Sequence, residues 1–182
     1  LDLRLSNVLW ATDAQGAGEG DLGGYGIVAR AADDDLMKAI WLRGRTTGKT
    51  VASLPGGGPK RPLGVLEATV PFSRLPPRTF DGPWVDVAAG RRRRADAIVL
   101  GEGRAAVKMV RLIAGSPRLH EQVAVSLQDN MALAGATQKG RSPTRELNYL
   151  LRQRAAGTLS SGTRVILPWV ETRLQPADDL SR

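Results

Sequence analysis

The sequence lacks the residues on which two common kinds of protein site depend. It contains no cysteine and one histidine among 182 residues. Disulfide frameworks, thiolate metal sites and zinc sites built from several histidines are therefore excluded. Any metal ion that this chain binds must be held by oxygen ligands, chiefly Asp and Glu carboxylates.

Long apolar segments are also missing. No stretch approaches the roughly 20 apolar residues needed to span a bilayer, and the N-terminus lacks the basic-then-apolar pattern of a secretory signal. We therefore expect an intracellular protein, cytoplasmic or nuclear, with no membrane partner. The length of 182 residues is typical of one domain, and the start at Leu1 instead of Met indicates a piece of a longer protein.

Positive charge is concentrated in the second half of the chain. Residues 1–90 contain 10 Lys/Arg and 10 Asp/Glu, whereas residues 91–182 contain 16 and 8. The entire net charge of +8 therefore comes from the second half. Such asymmetry is typical of a nucleic-acid-binding surface, because Lys and Arg contacts with phosphate supply most non-specific affinity, although it also serves solubility.

Apolar runs separated by turn signals predict an α/β domain. In the first 43 residues, runs at 8–13, 25–31 and 36–42 predict three antiparallel strands, with a hairpin turn at 16–20. Proline and glycine interrupt residues 44–95, which we interpret as an irregular insertion with one short strand at 64–70.

The second half predicts helices and strands in alternation. A helical stripe covers 97–114, and an apolar strand follows at 123–127. The remaining predicted elements are a short helix at 130–137, a helix at 144–156 capped by Thr144, a strand at 164–170 and a terminal helix.

Four acids lie at the edges of these predicted elements. Asp13 and Asp129 each close an apolar run, Glu102 lies near the start of a helix, and Asp178 follows Pro176 where the terminal helix begins. Carboxylates placed in this way can face one shared cleft, and hard cations such as Mg²⁺ prefer oxygen ligands. Taken alone, Asp13 and Asp129 are more typical of turn or helix caps, and Asp178 of an acid in the first turn of a helix, while Glu102 also fits a solvated helix acid. Their joint placement favours a metal-dependent phosphodiester chemistry.

Seven segments form an ordered set around these acids. They are Thr12-Asp13-Ala14, Gly24-Tyr25-Gly26-Ile27-Val28, Leu100-Gly101-Glu102-Gly103-Arg104-Ala105, Asp129-Asn130, Lys139-Gly140-Arg141-Ser142, Trp169-Val170, and Pro176-Ala177-Asp178 with Ser181-Arg182. In this order the set resembles the ribonuclease H domains of reverse-transcribing elements, most closely DIRS-type and related retroelements. The resemblance spans nearly the whole chain.

The resemblance implies a fold, an activity and partners. The fold is one ribonuclease H-like domain over residues 1–182, with a mixed five-stranded sheet, three antiparallel strands first, and flanking helices. Asp13, Glu102, Asp129 and Asp178 match the acids that hold two Mg²⁺ or Mn²⁺ ions and catalyse endonucleolytic hydrolysis of the RNA strand in an RNA–DNA hybrid. The implied partners are that hybrid and an upstream reverse transcriptase domain of the same polyprotein. Asp179 is a competing candidate for the last acid.

Basic and polar residues near these acids are candidates for contacts with nucleic acid. The turn Lys139-Gly140-Arg141-Ser142 offers two cations and a hydroxyl to phosphate oxygens. Arg104 begins a basic stripe on the predicted helix, which a solvated helix side explains nearly as well, and Asn130 directly follows Asp129. The run Arg91-Arg92-Arg93-Arg94 fits a phosphate clamp, a nuclear-import signal or a solvated loop.

Several features limit the resemblance. Gly101 and Gly103 flank Glu102, and because glycine weakens a helix by about 1 kcal/mol, they favour a later helix start. No histidine precedes Asp178, and we expect His120 to be a surface residue.

A P-loop-like segment at 44–50 has the wrong glycine spacing for a nucleotide site. Two alternatives remain open: a non-catalytic nucleic-acid-binding module of the same fold, and a DNA nuclease or transposase of that fold.

Overall fold

The computed structural model describes residues 3–16, 22–44, 75–93 and 97–182. The strands in these ranges are β1 Arg4–Ala14, β2 Gly24–Ala31, β3 Val85–Arg91, β4 Gln122–Leu127 and β5 Arg164–Ile166. The α-helices there are α1 Asp34–Gly44, α2 Ile98–Ala114, α3 Met131–Lys139, α4 Arg145–Ser161 and α5 Asp178–Ser181.

The strands form one mixed sheet in the order β3-β2-β1-β4-β5. The first three strands pair antiparallel, whereas β4 runs parallel to both β1 and β5. This arrangement confirms the predicted mixed five-stranded sheet that begins with three antiparallel strands. Because β1 and β4 are parallel, their carboxyl ends meet at the same edge of the sheet, with Ala11 opposite Leu127.

The third antiparallel strand is β3, and the strand predicted at 36–42 is wrong. That segment belongs to α1. Asp33 Oδ1 accepts a hydrogen bond of 2.7 Å from the backbone N–H of Leu36, which satisfies one of the free donors at the helix start. Leu36, Met37 and Ile40 are all buried, a spacing that fits one face of a helix.

β3 lies inside the region predicted to be irregular. It begins with the alternating residues Val85-Asp86-Val87, and it forms the edge of the sheet. The predicted strand at 64–70 lies outside the described residues. So do most of the predicted hairpin turn at 16–20 and all but the first residue of the P-loop-like segment.

The sheet is packed between helices on both faces. On one face, Leu9 and Ala11 belong to a buried cluster with the α1 residues Leu36 and Met37. On the other face, Trp10 and Ile27 pack with three buried α2 residues, which are Met109, Val110 and Ile113. A third cluster joins α2 to α3 and α4, so that α4 is the outermost layer. No helix among the described residues is long and apolar enough to cross a membrane.

α2 begins at Ile98 and includes both glycines, so the expectation of a later start is wrong. A Cβ atom at Gly101 would lie 3.0 Å from Arg92 Cζ, and one at Gly103 would lie 3.0 Å from Leu150 Cδ1. These distances are tighter than ordinary carbon contacts. The glycines therefore allow α2 to pack closely against its neighbours, which compensates for their low helix propensity.

The other predictions for the second half differ from the structure at element ends. α4 continues to Ser161, beyond the predicted 156, and β5 ends at Ile166, before the predicted 170. Thr144 occupies the N-cap position of α4, but its side chain makes no capping hydrogen bond. A single parallel bridge between Gln128 and Trp169 extends the β4–β5 pairing toward the acids.

Candidate metal centre

Three of the predicted acids come together because of where their elements end. Asp13 is the next-to-last residue of β1, and Asp129 follows the last residue of β4 by two. Both lie two positions beyond the paired residues Ala11 and Leu127, so they reach the same edge of the sheet. Glu102 lies one turn into α2, which packs over β1.

The carboxylates of Asp13, Glu102 and Asp129 are close enough to share a cation. Each offers an oxygen atom, and these oxygens lie within 4.8 Å of one another. Asp13 is 5% exposed and Glu102 is 4% exposed, while Asp129 is partly buried. Burial of several like charges at one point is costly unless they are protonated or neutralised.

Asp178, the fourth predicted acid, lies at the first position of α5 and is not in that group. Its Oδ2 accepts a hydrogen bond of 2.6 Å from Arg182. The Asp178 charge nevertheless contributes to a raised pKa at Asp13, so it acts on the cluster. α5 also contacts the cluster directly, because Ser181 Oγ donates to Asp13 Oδ2 over 2.6 Å.

Two side-chain amides hold Glu102. Gln128 is fully buried; its Nε2 donates to Glu102 Oε2, and its Oε1 accepts from Thr12 Oγ1 at 3.3 Å. Asn130 Nδ2 donates to the other Glu102 oxygen at 3.1 Å. Asn130 Oδ1 also accepts from the backbone N–H of Leu133 at 3.1 Å, which caps α3. The orientation of the Glu102 carboxylate is therefore fixed by groups that carry no charge.

Burial and mutual repulsion make both buried acids weak. Removal from water, followed by the charges of Asp129 and Asp13, raises the pKa of Glu102 to about 8, against the opposing hydrogen bond from Asn130. The pKa of Asp13 is also raised, mainly by burial and then by the charges of Asp129 and Asp178, while the Ser181 hydrogen bond opposes the shift. A bound cation would relieve both effects, since an opposite charge favours the ionised carboxylates.

The donor atoms at this edge fit a hard divalent cation. All three convergent groups are carboxylates, the ligand type that Mg²⁺ and Mn²⁺ prefer. Asp129 Oδ1 is buried and has no hydrogen-bond partner within the described ranges. A buried acceptor without a partner is costly, and coordination of a metal ion would satisfy it.

The residues predicted to bind nucleic acid fall in two places. Asn130 lies within the site and binds Glu102. Lys139 and Arg141 are exposed, and Ser142 is partly exposed, in the turn between α3 and α4; Arg104 is partly exposed on α2. Gly140 has a φ of 67°, the left-handed conformation that ends α3.

Two other predicted basic or polar features have structural partners. Arg92, from the four-arginine run, is only 8% exposed, and its Nη1 donates to the Gln15 carbonyl at 2.8 Å. His120, which we expected to be a surface residue, is partly exposed, with its Nε2 within 2.9 Å of the Ala114 carbonyl oxygen.

Gln128 and Thr12 are site residues that the sequence analysis missed, and Ser181 was assigned no role there. Gln128 directly precedes Asp129, as Thr12 precedes Asp13, so a polar residue stands before each strand-end aspartate. Within apolar runs such residues are unusual, and this is the signal that could have identified the pair. Ser181 carries no such signal, because its contact with Asp13 depends on how α5 packs.

Comparison with solved structures agrees with the fold. The chain is similar to the N-terminal RNase H domain of rv2228c from Mycobacterium tuberculosis, which was solved as a fusion with maltose-binding protein. The TM-score is 0.51 and the sequence identity 16%, over 96% of this chain and 95% of that one. The sequence matches no family model and no curated protein. The structural likeness confirms the predicted ribonuclease H-like fold.

Proposed function

We propose that the chain is a metal-dependent nuclease that hydrolyses the RNA strand of RNA–DNA hybrids. The observation that carries this proposal is the approach of the Asp13, Glu102 and Asp129 carboxylates to within 4.8 Å at one edge of the sheet. The ribonuclease H-like fold supports the hybrid as substrate. The acids supply the chemistry. Nearly all of their hydrogen-bond partners are neutral, so their negative charge is left for an added cation to neutralise.

Asp13, Glu102 and Asp129 would hold the metal, with Asp178 as a fourth ligand after it exchanges Arg182 for the ions. We propose two Mg²⁺ or Mn²⁺ ions. Bound in such a site, divalent cations acidify water and neutralise the charge that builds on a phosphate during hydrolysis.

The surrounding residues position the acids. Gln128 and Asn130 hold both Glu102 oxygens in one orientation, and Ser181 does the same for Asp13. The position of each ligand before metal binding matters because fixed groups need no rearrangement during the reaction. Gln128 is therefore a positioning residue, which acts through Glu102 and does not itself contact the substrate.

Contacts with the hybrid are proposed for the turn between α3 and α4 and for α2. Lys139, Arg141 and Ser142 would bind phosphate oxygens, and Arg104 would extend this contact. Asn130 lies beside the acids and would contact the nucleotide nearest to the cleaved bond. Such contacts would hold the duplex over the carboxylates without reading its sequence.

We further propose that the chain serves reverse transcription of a retroelement, next to a reverse transcriptase domain of the same polyprotein. The support is the resemblance of the segment from Pro176 to Arg182. Two residues of that segment contact acids: Ser181 binds Asp13, and Arg182 binds Asp178. Residues 1–182 would form the single ribonuclease H domain of that protein.

The decisive experiment is cleavage of a labelled RNA–DNA hybrid with Mg²⁺, with Asp129→Asn as the test variant. We expect a loss of at least about a hundredfold, because several kcal/mol of charge stabilisation depend on the ions. Asp86→Asn is the matched control, because Asp86 is exposed on β3 and does not belong to the acid cluster. Full activity of Asp129→Asn would overturn the proposal.

A substrate panel separates the alternatives. Cleavage of the hybrid but not of duplex DNA or duplex RNA supports the proposed activity. Cleavage of duplex DNA would instead identify a DNA nuclease or transposase. Salt-sensitive binding of nucleic acid without cleavage in Mg²⁺ or Mn²⁺ would identify a non-catalytic module.

A further inference from the structure

A second surface lies outside the acid site, on the outer side of α4. The inner side of this helix buries Leu147, Leu150 and Leu151 against α2 and α3. The opposite side carries Arg145, Tyr149 and Arg152, all of which are exposed. We call these three residues the α4 stripe.

The α4 stripe places an aromatic ring between two guanidinium groups. Its residues are four and then three positions apart, so they lie on one side of the helix over roughly 10 Å at a rise of about 1.5 Å per residue. Tyr149 is 60% exposed. A large aromatic side chain that stands in water contributes little to folding, and exposed aromatics are enriched at binding surfaces.

The basic turn before α4 is tied to the first turn of the helix by hydrogen bonds. Asn148 Oδ1 accepts from the Ser142 backbone N–H at 2.8 Å, and its Nδ2 donates to the Ser142 carbonyl at 2.5 Å. The backbone N–H of Arg141 also donates to the Ala136 carbonyl at 3.2 Å. These bonds hold the backbone of Arg141 beside the first turn of α4.

Charge on this surface is strongly one-sided. The exposed charged residues within 139–161 are four Lys/Arg and one acid. Among the residues that the structure describes, the ion pairs do not include Arg141, Arg145 or Arg152. Three guanidinium groups are thus available to an external anion, and their planar forks suit phosphate oxygens.

The first half of α4 packs against the start of α2, where Glu102 lies, and the helix leads away from the acid site. Gly103, the neighbour of Glu102, faces the first half of α4: a Cβ atom there would lie 3.0 Å from Leu150 Cδ1 and 3.4 Å from Leu147 Cδ1. Farther along, a Cβ atom at Gly157 would meet Val110 Cγ1, so the two helices run side by side in the same direction.

We propose that the α4 stripe, with Arg141, binds single-stranded nucleic acid, with unpaired bases on Tyr149 and phosphates on the arginines. A positive groove with an exposed aromatic ring is the usual platform for single strands, because every base has a face that can stack. A duplex leaves no free base face for Tyr149. This surface goes beyond the proposed hydrolysis, since it would hold a single-stranded extension and take no part in the chemistry.

The test is binding of a fluorescein-labelled oligothymidylate to the full chain in EDTA, so that cleavage cannot contribute. We expect Tyr149→Ala to weaken binding about tenfold and Tyr149→Phe to bind within about twofold of the parent, since the ring is retained. The double change of Arg145→Ala with Arg152→Ala should lower the slope of log affinity against log salt by about 1.4, because each phosphate contact contributes about 0.7.

Arg164→Ala is the matched control. Arg164 is exposed at the amino end of β5, which runs parallel to β4, so it lies at the sheet edge opposite the acids. The control should leave the affinity and the salt slope close to those of the parent. An equal loss in Arg164→Ala, or unchanged binding in Tyr149→Ala, would overturn the proposal. Polyglutamate serves as a second ligand in the same assay. If the stripe variants lose binding to polyglutamate but keep binding to the oligonucleotide, the proposal is overturned and the surface is assigned to an acidic protein.

The outcome of the oligothymidylate binding test is independent of the proposed nuclease activity. A blunt RNA–DNA hybrid without a single-stranded extension should be cleaved by Tyr149→Ala as fast as by the parent. If cleavage is absent but oligothymidylate binding depends on Tyr149, the nuclease proposal fails and the surface remains. If cleavage is present but binding ignores Tyr149, only the surface proposal fails.

Discussion

The acid site and the α4 stripe carry opposite charges in opposite environments. In the acid site, Asp13 and Glu102 are almost fully buried and are held by neutral hydroxyl and amide groups. In the stripe, Arg145 and Arg152 are exposed, and no hydrogen bond or ion pair within the described part of the chain fixes their side chains. Buried charge costs folding free energy, whereas exposed charge costs almost none.

Function and stability are linked differently in the acid site and in the α4 stripe. We expect a change in the acid site to alter metal binding and folding together, since the same burial that raises the pKa of Glu102 also sets its geometry. We expect a change in the stripe to alter binding alone. Variants that separate these two effects test the comparison directly.

The largest effect in the acid site short of removing an acid should come from Gln128→Met. This change keeps the volume but deletes both hydrogen bonds of the buried amide, so Glu102 loses one of its two fixed partners. We expect Mg²⁺ affinity to fall about 10- to 100-fold, as for other residues that orient metal ligands. Calorimetric titration with Mg²⁺ measures the change.

Ser126→Ala is the control for that experiment. Ser126 is fully buried on β4, two residues before Gln128, and its hydroxyl has no partner among the described residues. Its replacement should leave Mg²⁺ affinity nearly unchanged. Equal losses in both variants would show that any change in the core of β4 weakens the site, and that Gln128 has no particular role.

Gly26→Ala should separate α5 from the sheet. A Cβ atom there would lie 2.8 Å from the Ala177 carbonyl oxygen and 3.0 Å from the Ser181 nitrogen, both of which are backbone atoms. Overpacking of this kind typically costs about 1–3 kcal/mol of unfolding free energy. Urea denaturation measures it, and weaker Mg²⁺ binding should accompany the loss because Ser181 moves away from Asp13.

Gly135→Ala is the matched change in a helix with open space. No atom lies within 4 Å of a Cβ added at Gly135, and the residue is inside α3. The variant should be more stable by about 1 kcal/mol, because alanine favours a helix over glycine by that amount. A loss of stability there would show that the packing around α3 differs from that described.

Metal binding should depend on pH through Glu102. Its pKa of about 8 in the folded protein lies above its ordinary value of 4.5, so the folded protein holds a proton that the unfolded chain releases between those values. The metal-free protein should therefore lose stability as the pH rises over that range, while Mg²⁺ affinity increases by up to about tenfold per pH unit, since the ion needs the charged carboxylate.

Titrations of Mg²⁺ from about pH 6 to about pH 9 measure this dependence, and Glu102→Gln supplies the comparison. The variant removes the titrating group, so the difference in unfolding free energy between parent and variant should change with pH in the metal-free state. A constant difference across this range would contradict the assignment of the shift to Glu102.

The smallest effect should come from the stripe. Arg145→Ala and Arg152→Ala remove exposed side chains that have no partner in the described part of the chain, so each should change the unfolding free energy by less than about 0.5 kcal/mol. Thermal melts check this. A larger loss would mean that the stripe contributes to the fold, which would weaken the contrast with the acid site.

The sequence identified most of the acid site because strand ends leave a clear signal. Asp13 and Asp129 each follow an apolar run with one polar residue between, and parallel pairing of those runs brings the two residues to one edge. Glu102 was found through the ordered motifs, since a single acid in a helix has no distinguishing pattern. The carboxylates of Asp13, Glu102 and Asp129 lie within 4.8 Å of one another and Asp178 lies outside that group, and the site roles of all four acids stay predictions.

The errors arose where local pattern and tertiary packing favour different answers. Residues 36–42 contain an apolar run that fits a short strand, but the Asp33 cap and burial on one side place them in α1. β3 was missed because Pro83 and the arginine run stand at its two ends and suggested an irregular loop. Its exposed valines, Val85 at 63% and Val87 at 39%, also lack the burial that marks a central strand.

The hydrogen bond between Ser181 and Asp13 joins residues that are 168 positions apart. During synthesis β1 is made early and α5 is made last among these residues. The hydrogen bond between Asp13 and Ser181 therefore forms only after α5 has been made. We expect fragments that lack α5 to keep much of the sheet but to bind divalent cations weakly. We therefore expect the proposed Mg²⁺ binding to report the packing of α5 against the sheet, separately from secondary structure content.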